Sequence, residues 1–166
     1  VDVRGNPGGL LTASVEVVDK FVSQGTIVST RGRSAREDYD YKANHANTWK
    51  IPLVVLIDRD SASASEIFAA AIHDHRRGLV VGQKSYGKGS VQGIFPLSAS
   101  SAGIRLTTAK FYSPRGVPIS RNGVSPDVKV QLVAKPVDGS SKSVELNHDL
   151  VLEAGIQVAR NQLAKR

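Results

Sequence analysis

A continuous apolar run followed at once by a helical pattern constrains this chain more than any other feature. Residues 52–58 read Pro-Leu-Val-Val-Leu-Ile-Asp, which is typical of a strand buried on both faces of a sheet. An apolar stripe at helical spacing begins at Ile67 and ends near Gly78. A buried strand that leads into a helix is the building unit of a parallel sheet flanked by helices, so we predict the α/β fold class.

Three serines, at positions 61, 63 and 65, lie between the predicted strand and the predicted helix. Ser63 and Glu66 have the spacing of a capping box, in which both side chains satisfy free N–H groups of the first helical turn. The same place suits a nucleophile, because free amides and the positive end of the helix dipole stabilise an oxyanion. The capping pattern alone favours a simple N-cap, and the local sequence does not choose among the three serines.

A lysine between two glycines, in the segment Gly87-Lys88-Gly89, is a candidate general base for such a serine. A serine hydroxyl needs a proton acceptor, and a lysine can serve only when burial or a neighbour lowers its pKa. Residues 90–95 are predicted to form a strand, which would place Lys88, Ser90 and Gln92 on one face. Gln92 could then orient the Lys88 amine. The alternative is a turn lysine that opens a strand.

Two other motifs overlap the same lysine. Residues 82–89 nearly match the phosphate-binding loop G-x-x-x-x-G-K-[ST], but Gly89 has no hydroxyl for a metal ion and the continuation reads as a strand. Ser85 to Lys88 match S-x-x-K, a pattern of penicillin-recognising enzymes in which serine and lysine share a helical face. Glycines disfavour that helix, and the companion triplets S-D-N and K-T-G are missing from the sequence. Both interpretations are therefore weaker than a serine paired with Lys88.

Histidine is the other candidate base, and the chain has four: His45, His73, His75 and His148. His73 and His75 follow Ser63 by ten and twelve residues on the predicted helix, which puts them about 15 Å away or more. We expect both to be solvated rather than catalytic, and residues two apart on a helix make a weak metal site. His45, in a predicted polar loop over residues 31–50, is an alternative base.

The first residues form a third element with catalytic potential. Val1 to Arg4 read as a strand end, residues 5–9 as a tight glycine-rich turn, and the following apolar stripe predicts a helix capped near Gly25. Such a turn places bare amides at the carboxyl edge of a parallel sheet. Because the sequence lacks G-x-G-x-x-G, we favour an oxyanion hole with Gly8 or Gly9 and the N–H of Ala64 as donors.

Three blocks of the sequence resemble the motifs of one enzyme family. Val1 to Gly9 look like a D-x-R-x-N-x-G-G turn, Ser61 to Ile67 like S-A-S-A-S-E-[IL], and Gly87 to Gln92 like G-K-G-[ST]-V-Q. These motifs belong to the carboxyl-terminal processing proteases, also called tail-specific proteases, which are serine peptidases with a Ser-Lys dyad. Residues 106–114 and 123–128 are similar to a later strand and turn of the family, so the resemblance covers the chain to about residue 130.

The resemblance implies that Ser63 is the nucleophile, that Lys88 is the base and that Gln92 orients the lysine. It implies an α/β core of the crotonase or Clp-protease type and a reaction that uses no cofactor and no metal. Its substrates would be proteins or peptides with unstructured, apolar carboxyl termini. The alternative function is a non-catalytic binding or scaffold module of the same fold.

We expect a single catalytic core in these 166 residues, with a core over 1–133, a linker over 134–143 and a carboxyl-terminal helix over 144–166. Residues 103–133 read as β-rich. In the last helix an apolar face is shared by Leu146, Leu150, Ala154 and Val158. Family members normally carry an amino-terminal region and a PDZ domain, and neither is recognisable in this sequence, so we expect a fragment of a longer protein.

The net charge of +7 arises from 22 lysines and arginines against 15 aspartates and glutamates, which raises the question of nucleic-acid binding. The densest basic group, Arg31 to Arg36, is followed at once by Glu37 and Asp38. With only 5% aromatic residues, we expect no nucleic-acid partner. The resemblance implies an exported compartment such as a periplasm or lumen, and membrane contact only through regions outside this chain. The last helix could also pack on a second copy and give a homo-oligomer.

Overall fold

Two β-sheets and three helices make up the part of the chain that the computed structural model describes, which is residues 1–44, 46–98, 102–131 and 149–164. The helices are α1 (Leu11–Asp19), α2 (Ala64–Asp74) and α3 (Leu150–Ala164). The strands are β1 (Thr26–Gly32), β2 (Tyr39–Lys42), β3 (Val54–Ile57), β4 (Leu79–Gly82), β5 (Ser90–Pro96), β6 (Gly103–Tyr112) and β7 (Val128–Lys129), with a 3-10 helix at Ala35–Glu37.

Three strands form a parallel sheet in the order β3-β4-β7. β3 pairs with β4 along its whole length, and α2 makes the connection between them. Asp2 makes a parallel bridge to Leu56, so residues 1–3 run beside β3 and extend this sheet. The parallel pairing and the helical connection confirm the predicted α/β class.

The other four strands form an antiparallel sheet in the order β2-β1-β6-β5. The hairpin of β1 and β2 shows that the predicted polar loop over residues 31–50 is wrong. Tyr39 and Tyr41 pack edge to face with ring centroids 4.6 Å apart, and Arg31 pairs with Asp40 across the strands at 2.6 Å. The aromatic pair within β2 and the ion pair between β1 and β2 let an exposed edge strand form from a polar sequence.

The main core lies between α1, α2 and both sheets. α2 is buried from Ala64 to Ile72 and packs against β1 and β4. Each large apolar side chain buried here stabilises the fold by about 1.5–3 kcal/mol. Those that are fully enclosed come from α1, β1, β3, α2 and β4: Val18, Ile27, Val28, Val55, Ile57, Ile67, Ile72 and Val80. Because α2 is an interior helix, its first turn is held firmly in place.

α1 begins after the glycine-rich turn, as predicted, but it is shorter than the sequence indicates. It ends at Asp19 with Lys20 as its cap residue, and not near Gly25. Val22 is buried beyond the end of the helix. Gly25, with φ of +93°, lies in the turn that leads to β1.

α3 packs on the outer face of the parallel sheet. Val151 and Gly155 are its buried residues, and they adjoin Leu56 of β3 in a small second core. Ala154 and Val158 flank that core, as predicted, whereas Leu150 is 42% exposed because the buried face is centred on Val151.

Part of the predicted organisation falls outside the described residues, namely Leu146 and the linker over 134–143. None of the three described helices has the length and apolar character that crossing a bilayer requires.

Candidate active site

Ser63 lies where the chain enters α2 after β3, in a backbone conformation that a non-glycine residue rarely adopts. Its φ and ψ are +58° and −118°, and it is the N-cap residue of α2. The amides of Glu66 and Ile67 both donate to the Ser63 carbonyl, at 2.9 and 3.0 Å. Strained residues persist only where the surrounding structure holds them, and they cluster at functional sites.

The three serines of the block have different surroundings. Ser61 is fully buried, and its hydroxyl donates to the Val3 carbonyl at 2.8 Å. The Ser65 side chain is also buried, and its hydroxyl donates to the Asn6 carbonyl at 3.1 Å. These two hydroxyls attach the first residues of the chain to the start of α2, whereas Ser63 is half-buried and strained. The difference favours Ser63 as the candidate nucleophile.

The glycine-rich turn packs directly against Ser63. A Cβ on Gly8 would lie 2.8 Å from Ser63 Cβ and 2.9 Å from the Ala64 nitrogen, so only glycine permits this approach. The amide of Gly8 donates to Asn6 Oδ1 at 2.9 Å. The structure therefore brings Gly8, Ser63 and Ala64 together, and the bond to Asn6 makes Gly9 the better candidate for the second oxyanion donor.

A buried carboxylate connects Ser63 to Lys88. Glu66 is 0% exposed, and its Oε2 accepts hydrogen bonds from the Ser63 amide at 2.9 Å and from the Lys88 amide at 2.8 Å. Its Oε1 accepts from Ser85 Oγ and from the Gly87 amide, both at 2.6 Å. One carboxylate therefore holds the start of α2 and the loop before β5 in a fixed relation. The sequence predicts only the capping part of this arrangement.

Lys88 lies just before β5, at an edge of the antiparallel sheet, and Gln92 lies within that strand. Both side chains are exposed. The hydrogen bond to Glu66 fixes the backbone of Lys88 but not its amine, so the burial that the sequence analysis named as one condition for a lysine base is not met by the described residues. Ser63 and Lys88 meet at one carboxylate oxygen through their amides.

The competing motifs around Lys88 do not take the shapes that their chemistry requires. Residues 83–89 form a loop rather than a helix, so the helical S-x-x-K arrangement is missing from it. Ser85 is buried, donates to Glu66 and accepts a hydrogen bond from the Val124 amide at 2.7 Å. A strand follows the loop, whereas a phosphate-binding loop leads into a helix.

His73 and His75 are hydrogen-bonded, so the expectation that they are simply solvated is wrong. His73 Nδ1 lies 3.0 Å from Asp74 Oδ1, and its Nε2 lies 3.5 Å from Asp127 Oδ1. His75 Nε2 lies 2.7 Å from a carbonyl oxygen of β1. Both rings are at the end of α2 opposite to its N-cap. His45, the alternative base, lies outside the described residues.

Asp74 joins the end of α2 to the turn after β6. Burial raises the pKa of its carboxyl group, but hydrogen bonds from Ser113 Oγ at 2.5 Å, from His73 and from the Arg115 amide at 3.1 Å outweigh burial. The pKa of Asp74 therefore lies below its ordinary value. The carboxylate stabilises the fold at the far end of the helix that carries Ser63.

A small apolar cavity opens beside the glycine-rich turn. Its volume is about 210 Å³, and its walls include Gly9, Ala64 and the side chains of Leu10, Val17 and Phe68. A cavity of this size and polarity suits an aliphatic side chain of a bound peptide.

Comparison with known families matches residues 1–130 to the family described as Peptidase family S41. The chain belongs to peptidase family S41. Relatives of known name agree with this assignment. The carboxy-terminal-processing protease of Bartonella bacilliformis is 48% identical over 132 residues, which are 79% of this chain and 30% of the relative. The carboxyl-terminal-processing protease of Synechocystis sp. is 40% identical over 131 residues, with coverages of 79% and 30%.

A solved S41-like structure agrees in fold as well as in sequence. The photosystem II D1 C-terminal processing protease gives a TM-score of 0.71 at 39% identity, over 78% of this chain and 33% of that chain. These matches confirm the predicted resemblance to carboxyl-terminal processing and tail-specific proteases. This S41 chain spans about a third of the length of the relatives described here.

Proposed function

We propose that this chain carries the catalytic centre of a serine endopeptidase in which Ser63 is the nucleophile and Lys88 is the general base. The observation that carries the proposal is the convergence of the Ser63 and Lys88 amides on one oxygen of Glu66. The strained Ser63 beside a glycine-rich turn supports it, and membership of a peptidase family supports the reaction class.

The proposed reaction begins when Ser63 Oγ attacks the carbonyl carbon of the scissile peptide bond. Lys88, oriented by Gln92, accepts the hydroxyl proton. The amides of Ala64 and Gly9 stabilise the resulting oxyanion at the positive end of α2. Lys88 passes the proton to the leaving amine, an acyl-enzyme remains on Ser63, and water then releases the acid.

The exposed side chain of Lys88 gives the substrate a part in this mechanism. A lysine amine accepts a proton readily only when it is shielded from water. A peptide lying between Ser63 and the edge strand β5 would cover the Lys88 amine and displace its water. We therefore expect the base to become competent when substrate is bound.

The apolar cavity beside Gly9 and Ala64 supports substrates with small aliphatic side chains near the cleavage point. We propose unstructured carboxyl-terminal tails of other proteins as substrates, in keeping with the names of the relatives.

We further propose that the chain forms a single catalytic core and acts in an exported compartment. A relative that supports the compartment is the C-terminal processing peptidase of Tetradesmus obliquus, which is 40% identical and is named as chloroplastic.

The test is hydrolysis of an unstructured peptide with an apolar carboxyl terminus by this chain and by its Ser63→Ala and Lys88→Ala variants. Each variant should lose more than about 1000-fold in kcat, because nucleophile and base act as one unit. Ser61→Ala is the matched control, since it removes a hydroxyl from the same block whose hydrogen-bonding partners are the Val3 carbonyl and Asp58. Unchanged cleavage by Ser63→Ala would sink the assignment.

A non-catalytic binding module is the second candidate, and the exposure of Lys88 is the observation that favours it. In that case the chain binds the same peptide, measured by fluorescence anisotropy, and never cleaves it. The peptidase proposal instead predicts that Ser63→Ala binds the intact peptide, while the unmodified chain converts it to products.

A further inference from the structure

Glu66 is a fully buried acidic residue to which the proposed reaction assigns no step. It is neither the nucleophile, nor the base, nor an oxyanion donor. Removing a carboxylate from water is costly unless hydrogen bonds replace the lost hydration. Its place in the interior therefore requires an explanation from the contacts that surround it.

Four donors replace the water around this side chain. The amides of Ser63 and Lys88 reach Oε2, while Ser85 Oγ and the Gly87 amide reach Oε1. A carboxylate has two oxygens that only accept, so it satisfies two donors on each side. A glutamine has one such oxygen, and its NH₂ group would point at two of these donors. The position therefore requires a carboxylate and not merely a polar side chain.

The two amides that donate to Oε2 belong to segments that adjoin different sheets. Ser63 follows β3 of the parallel sheet, whereas Lys88 precedes β5 of the antiparallel sheet. Capping of α2 requires only the bond to the Ser63 amide. The bond to Lys88 adds nothing to the cap, but it ties the loop that carries the proposed base to the residue that carries the proposed nucleophile.

We propose that Glu66 is the positioning residue of the Ser63–Lys88 pair, setting their separation by accepting both amides on one oxygen. The inference rests on the proposed function of that pair. Without the carboxylate, the Tyr86 amide still donates to the Ser61 carbonyl at 3.0 Å, but the bond that ties Lys88 itself to the N-cap of α2 is lost. The proposed base then moves away from the nucleophile, although neither reacting side chain has been altered.

The decisive variant is Glu66→Gln, compared with Ser85→Ala. In Glu66→Gln the Ser63 and Lys88 amides can no longer both donate to one oxygen, so the proposed base is displaced. A displacement of about 1 Å can lower kcat by about 100-fold, and we expect a loss of this order. KM should change little, because the apolar cavity beside Gly9 is untouched. Ser85→Ala removes one donor from Oε1 and leaves both bonds to Oε2 in place. It should lower the melting temperature comparably, yet retain most of the activity.

Amide hydrogen exchange supplies a readout that does not depend on activity. The Ser63 and Lys88 amides should both be protected in the unmodified chain and in Ser85→Ala. In Glu66→Gln they should lose protection together, while the amides in the middle of α2, such as that of Ile72, keep theirs. If Glu66→Gln does not fold, Glu66→Asp takes its place, since a side chain shorter by one methylene keeps the charge but cannot span both segments.

Two results would overturn the proposal. The first is that Glu66→Gln and Ser85→Ala lose equal stability and equal activity, which would mean that Glu66 acts only as a helix cap. The second is that in Glu66→Gln one of the Ser63 and Lys88 amides loses its protection from exchange while the other keeps it. A failure of the proposed function gives a different result: the unmodified chain cleaves nothing, and Ser63→Ala changes nothing. In that case the amide exchange alone tests whether Glu66 holds the Ser63 and Lys88 segments together.

Discussion

At the scale of single residues, the contact between Gly8 and Ser63 leaves no room for a side chain at position 8. Gly8 has φ of +106°, and an added Cβ would lie within 3 Å of Ser63 and Ala64. Both the backbone conformation and the close approach therefore require glycine. The turn beside the proposed nucleophile, Ser63, therefore tolerates only glycine at position 8.

We predict that Gly8→Ala lowers kcat/KM by about 100-fold, because the methyl group displaces Ser63 or the Ala64 amide. Gly116→Ala is the matched control. Gly116 also has a positive φ, +77°, but among the described residues no atom lies within 4 Å of a Cβ built there. Gly116→Ala should lose about 1 kcal/mol of stability from its positive φ alone, and Gly8→Ala should lose more because its methyl group also clashes. Only Gly8→Ala should lose catalysis, as measured by thermal unfolding and peptide hydrolysis. Equal activity in the two variants would contradict the prediction.

Contacts of the candidate site between residues close in the sequence could be predicted, whereas contacts between residues far apart in the sequence could not. The spacing of Ser63 and Glu66 predicts their first-turn contact because helix geometry alone places them together. The bonds from Glu66 to Ser85 and Lys88 join residues about twenty positions apart, so they depend on how the sheets pack. The exposure of the Lys88 side chain could not be predicted from its neighbours in the sequence either, because the burial of a side chain depends on the whole fold.

At the scale of secondary-structure elements, α2 is fixed at both ends by carboxylates. Glu66 acts in its first turn, and Asp74 acts at its last residue through Ser113, His73 and the Arg115 amide. The folded state lowers the pKa of Asp74. Its stabilising effect is therefore fully present above the ordinary pKa of 3.8 and is lost as pH falls through the lower folded value.

We predict that Asp74→Asn destabilises the protein by about 1–3 kcal/mol near neutral pH, since a buried charged acceptor is lost. The difference from the unmodified chain should shrink as pH falls below the ordinary pKa of 3.8. Urea unfolding over a pH series measures this. Asp60→Asn, at an exposed position, is the control and should show little difference at any pH. A destabilisation by Asp74→Asn that is independent of pH would refute the role of its charge.

The docking of α3 depends on Gly155, where a Cβ would press on Leu56 Cδ2. We predict that Gly155→Leu destabilises the fold by about 1–3 kcal/mol, because the larger side chain overpacks the small second core. Gln157→Leu, on the exposed face of the same helix, should be nearly neutral. Thermal unfolding of the two variants checks the prediction, and equal melting temperatures would contradict it.

Elements with a strong apolar pattern could be predicted from the sequence, and those without it could not. β3 and α2 follow from a buried run and a helical stripe, and both form where expected. The hairpin of β1 and β2 escaped prediction because β2 is only four residues long and three of them are exposed, so no buried face marks it in the sequence. α1 ends early because the continuing chain buries Val22 without helical geometry.

At the scale of the whole molecule, one face of the β5–β6 hairpin is apolar and exposed. The register places Phe95 opposite Ile104 and Gly93 opposite Leu106, so these residues share a face. Phe95, Ile104 and Leu106 are each between 44% and 51% exposed. Exposed apolar surface of this kind favours association or dye binding.

We predict that Leu106→Lys lowers the binding of a hydrophobic dye such as ANS and reduces self-association at high concentration. Ile94→Lys is the control, because Ile94 lies opposite Arg105 on the other face of the hairpin although it is 74% exposed. Dye fluorescence and light scattering measure the two effects. If both variants reduce dye binding equally, the apolar face is not the responsible surface.

The placement of Ser63 after the parallel sheet and of Lys88 before a strand of the antiparallel sheet has a consequence for control. Neither sheet carries both proposed reacting residues, so the proposed chemistry depends on how the two sheets pack against their shared core. A substitution inside that core can therefore abolish activity at a distance, although it alters no reacting side chain.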